Sequence, residues 1–282
     1  MMRNSIKLKM MVIVMGFVAV CGAASCAETP AMCPSGDANS GSVDNILKDL
    51  QNAVSNLKSY QCKVEYLFSQ PVLDSKTQRK GLLYYAKSGD KSKLRINFDT
   101  LKQDEEPEQK HIEHYIFDGR WLTHIDYQIK QVQKRQLAEA SAAGETPRLE
   151  GREACGSPKG GNEPIDVFEL ARRNFPIIGF SKTDDLKKEF DVNLIGEPNG
   201  LIHLHMRVKP DSIYKDDYKT ADIWIDTGKS GLPDKITTTT TNGDIYEIKF
   251  ASAKANEAID EKVFEVTIPD GFGEPEIIPL TR

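Results

Sequence analysis

Runs that alternate apolar and polar residues, joined by short turns, dominate this chain and leave it few folds to choose from. Tyr60, Cys62, Val64, Tyr66 and Phe68 interleave with Gln61, Lys63 and Glu65. Leu94, Ile96 and Phe98 interleave with Lys93, Arg95 and Asn97, and Ile202, Leu204, Met206 and Val208 with His203, His205 and Arg207. A period of two gives a strand one apolar and one polar face. Further strand-like segments are Gly81 to Ala86, Lys110 to Phe117, Arg120 to Tyr127, Ile129 to Leu137, Phe190 to Leu194, Ala221 to Ile225, Thr237 to Thr241, Tyr246 to Phe250 and Phe264 to Ile268. The expectation is about eleven strands, nearly all sequential, as in an antiparallel meander. No strand–helix–strand rhythm is present, which argues against a doubly wound parallel sheet.

Asp118-Gly119, Asn199-Gly200 and Asn242-Gly243 are turn signals between such runs. With Asp118-Gly119 as a two-residue turn, Ile116 pairs with Trp121 and Ile112 with Ile125. Tyr115, Phe117 and Leu122 then face the other way.

Helical spacing occurs in three places. Ser42 is a good N-cap for Val43, Ile46, Leu47, Leu50, Val54 and Leu57, a helix ending near Ser59. Ile165 to Phe180, with Val167, Phe168, Leu170, Phe175 and Ile178, reads as an amphipathic helix and an apolar extension. Thr183 to Lys188 is a third, short helix. Residues 138–164 have no period, and a loop of that length is usually functional or mobile.

The N-terminus is an address. Arg3, Lys7 and Lys9 precede the apolar run Met10 to Val20, and small residues follow up to Ser25-Cys26-Ala27. That is a secretory signal, and the run is shorter than the roughly 20 apolar residues that span a bilayer. Two processing routes fit it: plain cleavage near Ala27, or lipidation of Cys26 within the lipobox-like Ala23-Ala24-Ser25-Cys26. The domain expectation is a signal peptide over 1–27, a polar linker over 28–41 and a single domain over 42–282. After plain cleavage Cys33, Cys62 and Cys155 remain. Cys62 sits in a strand pattern as a small core hydrophobe, and a Cys33–Cys155 bridge is open.

The formal net charge of −5 argues against nucleic acid, which wants a basic face. The motifs of nucleophile elbows, Walker A loops, zincins and Cys-x-x-Cys redox sites are all missing. His203 and His205 share one strand face that reads as solvated. His111 and His114, three apart on a strand, point to opposite faces. No catalytic residue, metal site or cofactor is therefore expected, and the protein reads as a binding protein and not an enzyme.

The ordered segments carry a resemblance. They are Leu57-Lys58-Ser59-Tyr60, Lys80-Gly81-Leu82-Leu83-Tyr84-Tyr85, Lys93-Leu94-Arg95-Ile96, Phe117-Asp118-Gly119-Arg120-Trp121-Leu122, Leu232-Pro233-Asp234-Lys235-Ile236 and Ile268-Pro269-Asp270-Gly271-Phe272. In this order, across roughly Val43 to Phe272, they resemble the LolA-like outer-membrane lipoprotein carrier family. The resemblance implies a mainly β fold: an unclosed antiparallel barrel of about eleven strands, with helices plugging it. It implies a periplasmic carrier that shields the acyl chains of a lipoprotein or lipid, with inner- and outer-membrane transport partners and peripheral membrane contact only. The alternative is a lipoprotein anchored to the outer membrane through Cys26, with an accepting, sensing or structural role. Val64, Tyr66, Phe68, Leu94, Ile96, Phe98, Ile116 and Trp121 are the candidate cavity residues. Phe168, Leu170, Phe175 and Ile178 are the candidate lid. The family's lid-locking Arg precedes a Pro; Lys87 stands in its place and the Pro is absent. The residues alone fit a filled core as well as a cavity.

Overall fold

The computed structural model describes residues 38–88, 91–137, 183–196, 200–228 and 230–279. One sheet of twelve strands organises them. The strands are β1 (Ser59–Gln70), β2 (Ser75–Ser88), β3 (Lys91–Gln103), β4 (Gln109–Phe117), β5 (Trp121–Asp126), β6 (Gln131–Gln136), β7 (Phe190–Gly196), β8 (Ile202–Val208), β9 (Tyr218–Asp226), β10 (Leu232–Thr240), β11 (Ile245–Ala255) and β12 (Glu276–Ile278). Their order is β12-β6-β5-β4-β3-β2-β1-β11-β10-β9-β8-β7. Sequential hairpins build β1 to β6 and β7 to β11, and the antiparallel β1–β11 pair joins the two halves. The outermost strands, β12 and β7, are not neighbours, so the barrel is unclosed.

The strand count and the antiparallel meander agree with the alternation in the sequence, with one exchange. Phe264 to Ile268 is not a strand. Its first residue ends a short 3-10 turn, Glu261–Phe264, capped by the Asp260 carboxylate, which accepts from the Lys262 N–H. The twelfth strand comes later, at Glu276–Ile278, and runs parallel to β6. The helix α1 covers Ala38–Ser55 and so begins before the expected cap at Ser42. The short helix α2 spans Thr183–Glu189, close to expectation.

α1 and α2 define the inner face of the sheet. Val43 and Leu47 of α1 are buried with Leu57, and Ile46, Leu50, Ala53 and Val54 pack partly against the same core. The helix meets β7, β10 and α2, and Lys187 of α2 pairs with Asp44 of α1. The apolar phase of every strand from β1 to β5 and from β7 to β11 contributes to this inner core.

The outer face of β3 to β6 is covered by the chain that follows β11. Arg95 Nη1 donates to the carbonyls of Val263 (2.8 Å) and Glu265 (3.2 Å). Val266 and Phe272 then lie over a second apolar cluster of Ile116, Ile125 and Val132. His114 Nδ1 accepts from Arg95 Nη2 at 3.2 Å and from the Tyr127 hydroxyl at 3.1 Å. An accepting Nδ1 places the ring proton on Nε2, so this imidazole is neutral. Burial and the Arg95 charge both lower its pKa, to about 4. A base whose folded pKa lies below its unfolded value takes up protons on unfolding. Stability measured by urea denaturation is therefore expected to fall as pH drops from about 6.5 to about 4. His114→Gln, which keeps an acceptor but cannot titrate, is expected to flatten that part of the profile; an unchanged profile contradicts the assignment.

Candidate functional site

The inner face is built from aligned side chains. Register pairs Cys62 with Leu83 and Leu83 with Ile96, and pairs Tyr60 with Tyr85 and Tyr85 with Leu94. Val64, Gly81 and Phe98 form another row. Gly81 has no side chain, so Tyr66 on β1 and Phe98 on β3 approach across β2, with ring centroids 6.5 Å apart. The aromatic row continues from Phe98 to Tyr115 at 6.2 Å and from Tyr115 to the His124 ring at 4.4 Å. On the other side it runs from Tyr66 to Tyr246 (6.5 Å), which stacks on Phe68 at 4.8 Å.

Of the candidate cavity residues, Val64, Tyr66, Phe68, Leu94, Ile96 and Phe98 all lie buried in this one inner cluster. Ile116 and Trp121 do not join them. Ile116 belongs to the outer cluster beneath Val266 and Phe272. Trp121 shares its strand phase with Thr123, which is paired with Ile116, and is half-buried. The hairpin differs from the expected two-residue turn, but by two residues, so the faces are unchanged. The Asp118 carboxylate accepts from the Arg120 and Trp121 amides (2.9 and 2.7 Å), and Gly119 adopts φ +100°. That longer turn pairs Phe117 with Leu122 in place of Ile116 with Trp121. The cause is ambiguity of face: β4 is apolar on both sides, and the C-terminal chain covers the side that carries Ile116. Phe168, Leu170, Phe175 and Ile178 lie outside the described residues, as do Cys26, Cys33 and Cys155. Lys87 shares the inner phase of Leu83 and Tyr85, at the far end of β2, and is half-buried. Cys62 is a buried free thiol, and burial pushes its pKa up to about 12, so it packs as a hydrophobe.

Two polar features of the inner face bear on what it could bind. The Tyr66 hydroxyl is buried and has no hydrogen-bond partner among the described residues. Nearer the β3–β4 turn, Glu113 and Asp126 sit directly opposite each other on β4 and β5. They are only 1% and 3% exposed. His111 Nε2 lies 3.0 Å from Glu113 Oε1. The Tyr115 hydroxyl donates to Oε2 at 3.0 Å, and Arg79 Nε lies 3.5 Å from it. Asp126 Oδ1 accepts from the Gln128 and Ile129 amides at 3.0 and 3.3 Å. His111 is a residue that the sequence singles out, whereas Glu113 and Asp126 are not. The signal was the phase of β4: Glu113 alternates in step with Tyr115 and Phe117, a charged residue on a core face.

On the outer face His203 Nε2 and His205 Nδ1 both lie 2.8 Å from Asp222 Oδ1. His203 also stacks on Trp224 (4.3 Å), which carries Lys235 Nζ over its ring at 3.5 Å. The strand's buried side chains are Leu204 and Met206, as the alternation requires.

No protein-family profile and no curated protein matches the chain. Among solved structures, it is similar to an uncharacterized conserved protein from Thermus thermophilus, at 11% identity and a TM-score of 0.43, over 85% of this chain and 99% of that one. It is similar to Mycobacterium tuberculosis lipoprotein LppX at 10% identity and a TM-score of 0.42, over 78% and 98%. A putative outer membrane lipoprotein-sorting protein domain from Vibrio parahaemolyticus gives 12% identity and a TM-score of 0.35, over 78% and 94%. The likeness is one of fold alone. The strand pairing itself establishes an unclosed, almost wholly antiparallel sheet with helices on one face, which agrees with the fold expected from the sequence.

Proposed function

We propose that this chain is a binding protein of the bacterial envelope that takes an acyl chain against the inner face of its sheet. The observation that carries this reading is the continuity of that face. It runs from Leu122 on β5, through Phe98, Ile96 and Val64, to Ile223 and Leu204 on β9 and β8, in a sheet that does not close. An acyl chain needs an apolar, adaptable surface and few directional contacts. Each buried CH₂ contributes roughly 0.8 kcal/mol, so a long chain binds without a single hydrogen bond. The Tyr66 hydroxyl supports the same reading. A buried donor without a partner is costly, and a ligand oxygen on this face would satisfy it. No helix among the described residues is long and apolar enough to cross a membrane. Peripheral contact is favoured by exposed apolar residues at three turns of one end of the sheet: Val72 and Leu73, Ile129, and Ile213.

On this reading the ligand is an acylated lipoprotein or a lipid, and transport partners sit at the two membranes. The lipobox-like residues ending at Cys26 favour a second reading, an anchored acceptor. Mass spectrometry of the native N-terminus separates the two: a diacylglyceryl Cys26 supports the anchor, and an unmodified Glu28 start eliminates it. The carrier reading is tested with the purified mature chain and a fluorescent fatty-acid probe. Saturable uptake that unlabelled palmitate displaces is expected, and no uptake contradicts it.

A further inference from the structure

We infer that His111, Glu113 and Asp126 form a binding site for a divalent transition-metal ion, zinc by preference, on the inner face where β4 meets β5. The donor atoms of these three side chains all lie within 4.8 Å of one another. Their placement follows from the sheet. His111 and Glu113 are two apart on β4 and share a face, and Asp126 is the register partner of Glu113 on β5.

One guanidinium, Arg79, faces this pair of carboxylates, 3.5 Å from Glu113 Oε2. Like charges placed directly opposite on neighbouring antiparallel strands destabilise the pair, and these two carboxylates are almost wholly buried. A cation between them converts that repulsion into coordination. The donor set, one imidazole nitrogen and two carboxylate oxygens, suits zinc or manganese better than calcium, which takes six to eight oxygens.

The surrounding groups orient the donors as outer partners of metal ligands do. Tyr115 and Arg79 engage Glu113 Oε2, which leaves Oε1 turned toward His111 Nε2. The Gln128 and Ile129 amides hold Asp126 Oδ1. Zinc bonds of about 2.0–2.2 Å to these donors need only a modest closure of the three side chains. Three protein ligands leave a coordination position for water or an anionic group, the pattern of an open zinc site. This inference does not depend on the acyl-binding reading.

The test uses the mature chain stripped with a chelator, carrying His203→Ala and His205→Ala so that the outer imidazole pair takes no metal. Zinc chloride is titrated calorimetrically, with manganese and calcium chloride as comparisons. One equivalent of zinc is expected to bind more tightly than calcium and to raise the melting temperature. Glu113→Gln and His111→Ala are each expected to weaken binding by about 10-fold or more. As a readout that needs neither variant, zinc is expected to shift the His111 imidazole resonances and leave those of His114 in place. Absence of zinc uptake, or a His111 ring that zinc leaves unmoved, overturns the inference.

Discussion

Gly81→Ala is expected to lower the stability of this protein by about 3 kcal/mol, a fall of roughly 6–12 °C in melting temperature for a domain of this size. A Cβ at this position would sit 1.8 Å from the Asn97 carbonyl oxygen, 2.7 Å from its carbon and 2.8 Å from Phe98 Cα. All three are backbone atoms of β3, so no side-chain rotamer relieves the clash. The pairing register of β2 and β3 already shifts between Lys80 and Gly81, which brings the two backbones close. The methyl group has to push β3 away, and with it the Phe98 ring that crosses toward Tyr66. Thermal melts of the variant check this, and a fall below about 2 °C shows that the two strands part at little cost.

Phe98→Ala is expected to cost about 3–5 kcal/mol. Phe98 is 1% exposed and stands between Tyr66 and Tyr115 in the aromatic row. Its removal takes away both ring contacts and leaves a void that the flanking strands, fixed by their ladder, cannot fill. Ligand linkage adds a second readout. A guest that binds only the folded state stabilises it by mass action, so saturating palmitate is expected to restore part of the lost melting temperature. A cost below about 1 kcal/mol contradicts the tight packing assigned to this row.

Much of this architecture was legible in the sequence because period-two alternation is a local property. β1, β3 and β8 appear directly in their apolar phases, and Asn242-Gly243 marks the β10–β11 turn, where Gly243 adopts φ +87°. What was hidden depends on long-range choices. Which face of β4 lies inside cannot be decided from β4 alone, because Ile116 and Phe117 are equally apolar. The decision is made by residues such as Val266 and Phe272, far along the chain, which cover the outer side. β12 was invisible because three residues pairing in parallel with β6 carry no period of their own. Glu113 and Asp126 became visible as a pair only once the register placed them opposite each other. His111 and His114, by contrast, fall on opposite faces as their spacing requires: one meets Glu113 and the other Arg95.

The energetic logic of the candidate site is the same throughout. A sheet that does not close exposes more backbone than a closed barrel, and among the described residues this is offset by a short edge strand and coverage on both faces. β12 is only three residues long, a common way to blunt an edge. Helices cover part of the inner face and the C-terminal chain part of the outer one.

The contact between guest and protein can be observed directly. With carbon-13-labelled palmitate bound to the mature chain, nuclear Overhauser effects report which methyl groups lie against the acyl methylenes. The account predicts contacts to Val64, Leu94 and Ile96 on the inner face and none to Ile116, Ile125 or Val132 on the outer one. Contacts confined to the outer cluster, or a palmitate that touches no inner methyl group, would contradict it.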